Sequence, residues 1–478
     1  MRPNLPSTGM VGHGGTRCPL SREAEMYHVG TRRRFRRAGT GLGSVAASRA
    51  GRNLGIVETA GNGSRTGERM QILVVGAGFA GSCAALLLRE DLGAEVTLVE
   101  QCAVPGGMLR TLYTEEGLPY EYGPRVVSVF RGSADILPFL RRFLDLQERR
   151  IYQGTRLRPD FPVIPFPVDA ESLRKLPCGA QIEQELAEIR RRGTPPGERD
   201  LRDYLESSVG PTLTELAFEG FNRKFWGRRL EEMPAAWGKL RRLERIAEVG
   251  QYRLPSEAPH YYPAGGFNPL FDKMLEGFDV RYGVTVERVE ANARKLDVVT
   301  DAGVFSADLV ITTAPIDALL GYRYGALEWR GYRVEVEVVD AAGHERLGTA
   351  PDGIPFSWLY TPWPETEVCR TTDFGVIHHG AHAADRDGPT ILLREIVDDT
   401  VSMYPVWWED AKFYRYLADA SAIPGVIPLG RLGLYKYTTT DSTYSMVRRL
   451  LGSLDRYLNG DAAERYDILR GVRGDWGN

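Results

Sequence analysis

A chain of 478 residues with 60 Lys and Arg against 63 Asp and Glu has a net charge of −3: room for two or three domains, and no global field to recruit nucleic acid or an anionic membrane. Five cysteines, odd in number, widely spaced and without a CxxC pair, speak against a disulfide frame or zinc site and for a reducing, cytoplasmic setting. No apolar run approaches the roughly eighteen residues that span a bilayer.

Residues 1–69 hold twelve Arg, no Lys, four Glu and no Asp, a net of +8, with a cluster at Arg32-Arg33-Arg34-Phe35-Arg36-Arg37. Such a segment buries too little apolar surface to offset its ordering entropy, so a disordered or mis-started leader is expected, with a transit peptide or anion-binding arm as the alternative. The ordered chain is expected to begin at Met70. Ile72 to Val75 form an apolar run of the kind buried in a parallel sheet. It meets Gly76-Ala77-Gly78-Phe79-Ala80-Gly81 and then an Ala/Leu-rich helix, expected from Ser82 to Arg89. In a dinucleotide-binding turn, Gly76 permits the sharp bend, Gly78 admits a pyrophosphate to the backbone, and Gly81 lets the helix pack closely on the sheet. A second strand, Glu95 to Val99, ends in Glu100, placed to accept a ribose hydroxyl. The glycine pattern alone is weak. The flanking strands, the helix and the acid together are specific.

Further on, Gly106-Gly107-Met108 offers a second stretch of backbone without Cβ atoms, followed by Tyr122-Gly123-Pro124-Arg125. From Ala134 to Arg149 apolar residues recur at helical spacing and are expected to pack in a core. Residues 150–169 suggest two short strands, and Gln181–Arg192 and Leu201–Trp226 suggest helices, the second interrupted at Gly210-Pro211. Sheet signals return at Val280–Val286, Lys295–Val299 and Leu309–Thr313, which are expected to rejoin the first domain. Val334, Val336 and Val338 alternate with Arg333, Glu335 and Glu337, as in an antiparallel sheet solvated on one face. The tail from Val426 to Leu450 repeats strand, Gly430-Arg431 loop and helix.

The expected class is α/β: a doubly wound, Rossmann-like domain built from 70–148, 251–318 and 426–478, interrupted by a helical insertion at 171–250 and an antiparallel sheet from 149–170 and 319–425. The cleft made by such an insertion is the expected substrate site.

Several motifs occur in order: Gly76 to Gly81; Pro105-Gly106-Gly107; Phe221-Asn222-Arg223-Lys224-Phe225-Trp226-Gly227; Tyr262-Pro263-Ala264-Gly265-Gly266-Phe267; Ala314-Pro315-Ile316-Asp317; Leu327-Glu328-Trp329-Arg330; and Gly430-Arg431-Leu432 with Tyr435-Lys436-Tyr437. With them the chain, from about residue 70 to about 455, resembles the UDP-galactopyranose mutases. The resemblance implies FAD in a reaction without net redox change, reduced by NAD(P)H. Flavin N5 attacks the anomeric carbon, the nucleoside diphosphate leaves, and the opened sugar recloses as a furanose. It implies a nucleoside-diphosphate sugar as substrate; a homodimer stands beside a monomer as the assembly, and charge and hydropathy give no reason to expect a nucleic-acid or membrane partner.

By the same resemblance Arg330 binds the diphosphate, with Tyr437 and Arg241 beside it. Phe221 and Trp226 form the base platform and closing aromatic, and Tyr252 and Cys369 stand where substrate-contacting tyrosines are found. Gly76, Gly78, Phe79, Ala80, Gly81, Glu100, Gly106, Gly107, Met108, Arg125, Gly430, Arg431 and Asp441 surround the flavin. Arginine suits a diphosphate because its planar fork makes two parallel charge-assisted bonds and stays ionised. This chain departs from the family at several points. Leu240 occupies the place of a second diphosphate arginine, hence the choice of Arg241. Arg125 replaces a histidine beside the flavin, adding a fixed positive charge. Asp441 is displaced from the usual carboxylate position. Because the departures gather on the substrate side, and Phe221 lacks a tyrosine's hydroxyl, a GDP-linked hexose such as GDP-L-galactose stands beside UDP-galactose as donor. An FAD-dependent oxidase or desaturase of the same cofactor fold, and a flavin-free sugar-nucleotide binding protein, are the competing readings. His378, His379 and His382 are the one histidine cluster, and a loop around Gly380 makes it a poor metal site.

Overall fold

The computed structural model of the chain describes residues 70–129, 135–166, 168, 170–241, 259–292, 294–340, 347–350, 353–380, 388–398, 403–406, 408 and 411–474. The Val/Ile/Leu run expected to be a buried strand is one: β1 (Gln71–Val75) is buried from its second residue on. Helix α1 (Phe79–Leu92) returns the chain to β2 (Glu95–Glu100), and Gly93, left-handed at φ +62°, ends the helix. The later segments β3 (Asp279–Tyr282), β4 (Leu309–Thr312) and β5 (Val426–Pro428) complete a five-stranded sheet in the order β3-β2-β1-β4-β5, every pairing parallel. From β1 the chain winds outward to β2 on one side, while β4 flanks it on the other. The C-terminal end of β1 is therefore the switch point where open α/β sheets carry their ligands.

A helical region follows: α2 (Gly179–Arg192), α3 (Leu201–Val209), a short turn Pro211–Thr214, a π-turn Glu215–Glu219, α4 (Gly220–Trp226) and α5 (Ala235–Arg241). The break expected at Gly210-Pro211 is present. Gly210 takes φ +86° and Pro211 begins the next helical turn, where its missing N–H costs nothing. These helices have a core of their own, with Ile182, Leu186, Leu201, Leu205, Trp226 and Trp237 among its buried residues. A six-stranded sheet runs Tyr332–Val339, Thr390–Val397, Val368–Asp373, Trp358–Tyr360, Gln153–Thr155, Ile164–Pro165. The alternating segment Tyr332–Val339 is its edge strand, antiparallel to Thr390–Val397.

The helical spacing of 134–149 misleads in part. Only Ile136–Leu140 is helical, whereas Leu146–Arg149 is a strand antiparallel to His260–Pro263. The apolar residues Ile136, Phe139, Leu140 and Leu144 are buried all the same, because pairing with a strand more than a hundred residues away satisfies the backbone beyond them. The run Val280–Val286 is likewise divided, between β3 and a strand Val286–Ala291, by Gly283 at φ +69°. Among the described residues Cys83, Cys178 and Cys369 are free thiols. Among the described residues no helix is long and apolar enough to cross a membrane.

Candidate functional site

At the end of β1, Gly76 turns at φ +96°, where a Cβ would lie 2.1 Å from Thr313 Oγ1, and its N–H donates to the Val99 carbonyl at 2.8 Å. A Cβ on Gly81 would meet the Gly76 carbonyl oxygen at 1.9 Å, so the helix starts against the turn only because both residues are glycine. The second glycine pair lies alongside: Gly106 N–H donates to the Ala77 carbonyl at 2.9 Å, and a Cβ on Gly107 would come within 3.3 Å of Gly78 Cα. A third segment arrives from the chain's far end, where a Cβ on Gly430 would reach Ala80 Cβ at 2.9 Å. Between these backbones α1 begins just after Gly78, which caps it without a side chain, leaving its first N–H groups and the positive end of its dipole beside the glycine segments. Glu100 closes the arrangement: Oε2 accepts from Ala77 N–H at 2.7 Å and Oε1 from Cys102 N–H at 2.8 Å. Burial pushes its carboxyl up, against those two donors, which pull it down. Each oxygen keeps a lone pair for a further hydroxyl. The sites expected to hold a dinucleotide are therefore together, and the cradle fits a pyrophosphate.

From Met108 the contacts lead out of the cradle. Arg431 Nη1 lies 3.8 Å from Met108 Sδ and donates to the Met403 carbonyl at 3.2 Å, while Nη2 donates to the Thr438 carbonyl. Its guanidinium covers the rings of Tyr437 and Tyr404, 5.0 and 5.4 Å from their centroids, and the two rings stack on each other at 5.5 Å. Tyr404 pairs with Arg330 in the two-stranded sheet Trp329–Arg330 with Tyr404–Pro405. Arg330 Nη2 lies 3.6 Å from Glu328 Oε1, and Arg228 donates to both oxygens of Glu328 at 2.8 and 2.7 Å. Gly227, at φ +63°, presents bare backbone to the Arg330 guanidinium.

Trp226 does not stand open as a closing aromatic. It is 3% exposed, edge-on to Trp237, Trp408 and Tyr404. Phe221 lies parallel to Phe225 at 5.8 Å and edge-on to Tyr360 at 5.9 Å. Cys369, on strand Val368–Asp373, is buried with its thiol pushed up to about 12 by desolvation. Asp441, near the start of α6 (Thr440–Gly452), is buried and accepts from the Thr439 hydroxyl. Arg241 is the last residue of α5; its side chain, Tyr252 and His382 lie outside the described residues.

Arg125 carries a fixed charge, as read from the sequence, but that charge is not left uncompensated. The buried guanidinium is ion-paired with Glu395, also buried, and donates to the Gly123 carbonyl at 2.8 Å and the Tyr332 hydroxyl at 3.2 Å. Glu395 Oε1 in turn accepts from Arg370 Nε and Nη2 at 3.0 and 2.5 Å. Nearby, Glu121 is fully buried, accepting from Thr111 Oγ1 at 2.7 Å and Tyr262 Oη at 3.2 Å. Burial pushes its carboxyl from 4.5 up to about 7.

Residues 216–437 match the family described as UDP-galactopyranose mutase, and 74–143 match the NAD(P)-binding Rossmann-like domain. A UDP-galactopyranose mutase of Mycoplasma pneumoniae is 23% identical over 394 residues, covering 78% of this chain and 93% of that protein. The dTDP-fucopyranose mutase of Escherichia coli is 21% identical over 398 residues, covering 78% and 94%. Over residues 216–437 the chain is similar to the UDP-galactopyranose mutase family. It is accordingly an enzyme of the isomerase class, its relatives being mutases of nucleotide sugars. The crystal structure of a reduced UDP-galactopyranose mutase shares the fold, with a TM-score of 0.64 at 18% identity over 86% of this chain and all of that one.

Sequence reasoning missed Tyr404, Arg228, Glu328, Glu121 and Glu395. Glu328 and Arg228 stand inside or beside quoted motifs, two residues from Arg330 and from Trp226, and a search for charges flanking those anchors would have found them. Nothing local marks Tyr404 or Glu395.

Proposed function

We propose that this chain interconverts the pyranose and furanose forms of a nucleoside-diphosphate hexose, with FAD as cofactor and NAD(P)H as its reductant. The supporting observation is the unbroken run of contacts from the glycine cradle through Met108, Arg431, Tyr437 and Tyr404 to Arg330. It joins a dinucleotide cradle to an arginine suited to a diphosphate.

Gly76, Gly78, Gly81, Gly106 and Gly107 would hold the cofactor's pyrophosphate against the start of α1, and Glu100 its ribose. Bound reduced flavin supplies the nucleophile for displacement at the anomeric carbon, with no net change in redox state. Arg330 clasps the leaving diphosphate bidentately and keeps it near that carbon until the ring has reclosed. Tyr437 adds a hydroxyl to the same anion. The aromatic wall of Trp226, Trp237, Trp408 and Tyr404 excludes water, which would otherwise intercept the sugar. Phe221, stacked on Phe225, gives the base an apolar face with no hydroxyl of its own, so GDP-L-galactose is carried as donor beside UDP-galactose.

The test reduces the purified protein and incubates it separately with UDP- and GDP-linked hexofuranoses, separating products by chromatography. Conversion of one to its pyranose is expected, only from protein that is yellow as purified, before reduction. Conversion of neither refutes the reading, substrate-dependent hydrogen peroxide from the oxidised protein assigns the oxidase alternative, and conversion by protein that is colourless as purified removes the flavin from it.

A further inference from the structure

Glu328 is where two guanidinium groups meet. Arg228 Nη2 lies 2.8 Å from Glu328 Oε1 and Arg330 Nη2 lies 3.6 Å from the same oxygen, so the two cationic nitrogens are close enough for one diphosphate to touch both. The three side chains are 27%, 35% and 13% exposed, so the cluster is partly withdrawn from water and its charges are less screened than at an open surface. Two arginines and one glutamate leave it a net charge of +1.

The carboxylate and the arginines are not equally free to move. The backbone of Glu328 is pinned, its carbonyl accepting from Tyr435 Oη at 2.6 Å and from Val406 N–H at 3.1 Å. Arg330 follows two residues on, in the strand Trp329–Arg330. Arg228, by contrast, stands just past the end of α4 and the left-handed Gly227, and among the described residues its hydrogen-bond partners are Glu328 and the neighbouring Gly227 carbonyl at 3.4 Å. It is the cation that can change partners.

We infer that Arg228 is a diphosphate-binding residue held ready by Glu328, and that an incoming nucleoside diphosphate takes it over from that carboxylate while also engaging Arg330. The inference rests on the proposed function and deepens it. Glu328 keeps the two guanidiniums together against their mutual repulsion before substrate arrives, then competes with the diphosphate for Arg228. The site thereby gains specificity for an anion carrying more charge than one carboxylate.

Binding of UDP and GDP to the flavin-loaded, oxidised protein, followed by titration calorimetry at two salt concentrations, tests this without turnover. Arg228→Ala is expected to weaken the nucleotide that wild type binds by roughly ten- to a hundredfold, the range for one hydrogen bond to a charged group. Arg228→Lys keeps the charge without the fork and falls between the two. Glu328→Gln removes the competitor, so affinity is retained or rises, with steeper salt dependence. Arg288→Gln, a charge change on a remote exposed strand, leaves affinity within about twofold. Unchanged affinity in Arg228→Ala overturns the inference. So does equal weakening by Arg228→Ala and Glu328→Gln, which would assign the pair to ordering the chain after Trp226. If wild type binds neither nucleotide, the functional reading itself has failed.

Discussion

The contact between Gly227 and Arg330 is the sharpest lever on the site. A Cβ at Gly227 would lie 2.2 Å from Arg330 Nη2, 2.9 Å from Cζ and 3.3 Å from Nη1, while ordinary contact begins at 3.4 Å. In Gly227→Ala the guanidinium must therefore retreat by about 1.2 Å. The clash is with the far end of a flexible side chain, so the fold absorbs it cheaply. The backbone cost is that of a non-glycine residue at φ +63°, about 1–2 kcal/mol, or a few degrees of Tm. Function has no such slack: a shift of about 1 Å in a positioning group costs on the order of a hundredfold in rate. Gly193→Ala separates the two effects, because Gly193 has φ +61° and nothing within 4 Å of its would-be Cβ. Steady-state kinetics and thermal melts on both variants should show similar Tm losses, with kcat/KM reduced about a hundredfold only in Gly227→Ala. Equal kcat/KM in the two would refute the placement of Arg330 in the reaction.

Three further outcomes are expected. Gly78→Val, at an ordinary φ of −72°, fills the gap between the two glycine segments; the protein should fold but purify with less than about a tenth of wild-type flavin, read from its absorbance spectrum. Arg330→Lys keeps the charge but loses the fork, and kcat/KM should fall by about a hundredfold; a loss under about threefold would remove diphosphate clasping from its role. Glu121 has its folded pKa raised from 4.5 to about 7, so the stability it contributes is fully present below pH 4.5 and is lost as pH rises through about 7. That loss is about 3 kcal/mol, and Glu121→Gln should remove this part of the pH dependence in denaturant melts. Parallel profiles for wild type and variant from pH 5 to 8 would contradict it.

What the sequence determined by itself is the β1–turn–α1–β2 unit, with the close backbone approaches that make Gly76 and Gly81 glycine. These are local: the turn at Gly76, the start of α1 and the reach of Glu100 back to Ala77 depend on residues within about one strand–helix–strand unit, so spacing encodes them. Only the tertiary structure decided that Tyr404 stacks on Tyr437, that Glu395 ion-pairs with Arg125, and that Leu146–Arg149 is a strand despite its helical spacing. Those partners lie from 33 to some 270 residues apart and meet because sheets formed from distant segments bring them into register. No spacing within either segment carries that information, since the choice of partner is made by the packing of the whole core.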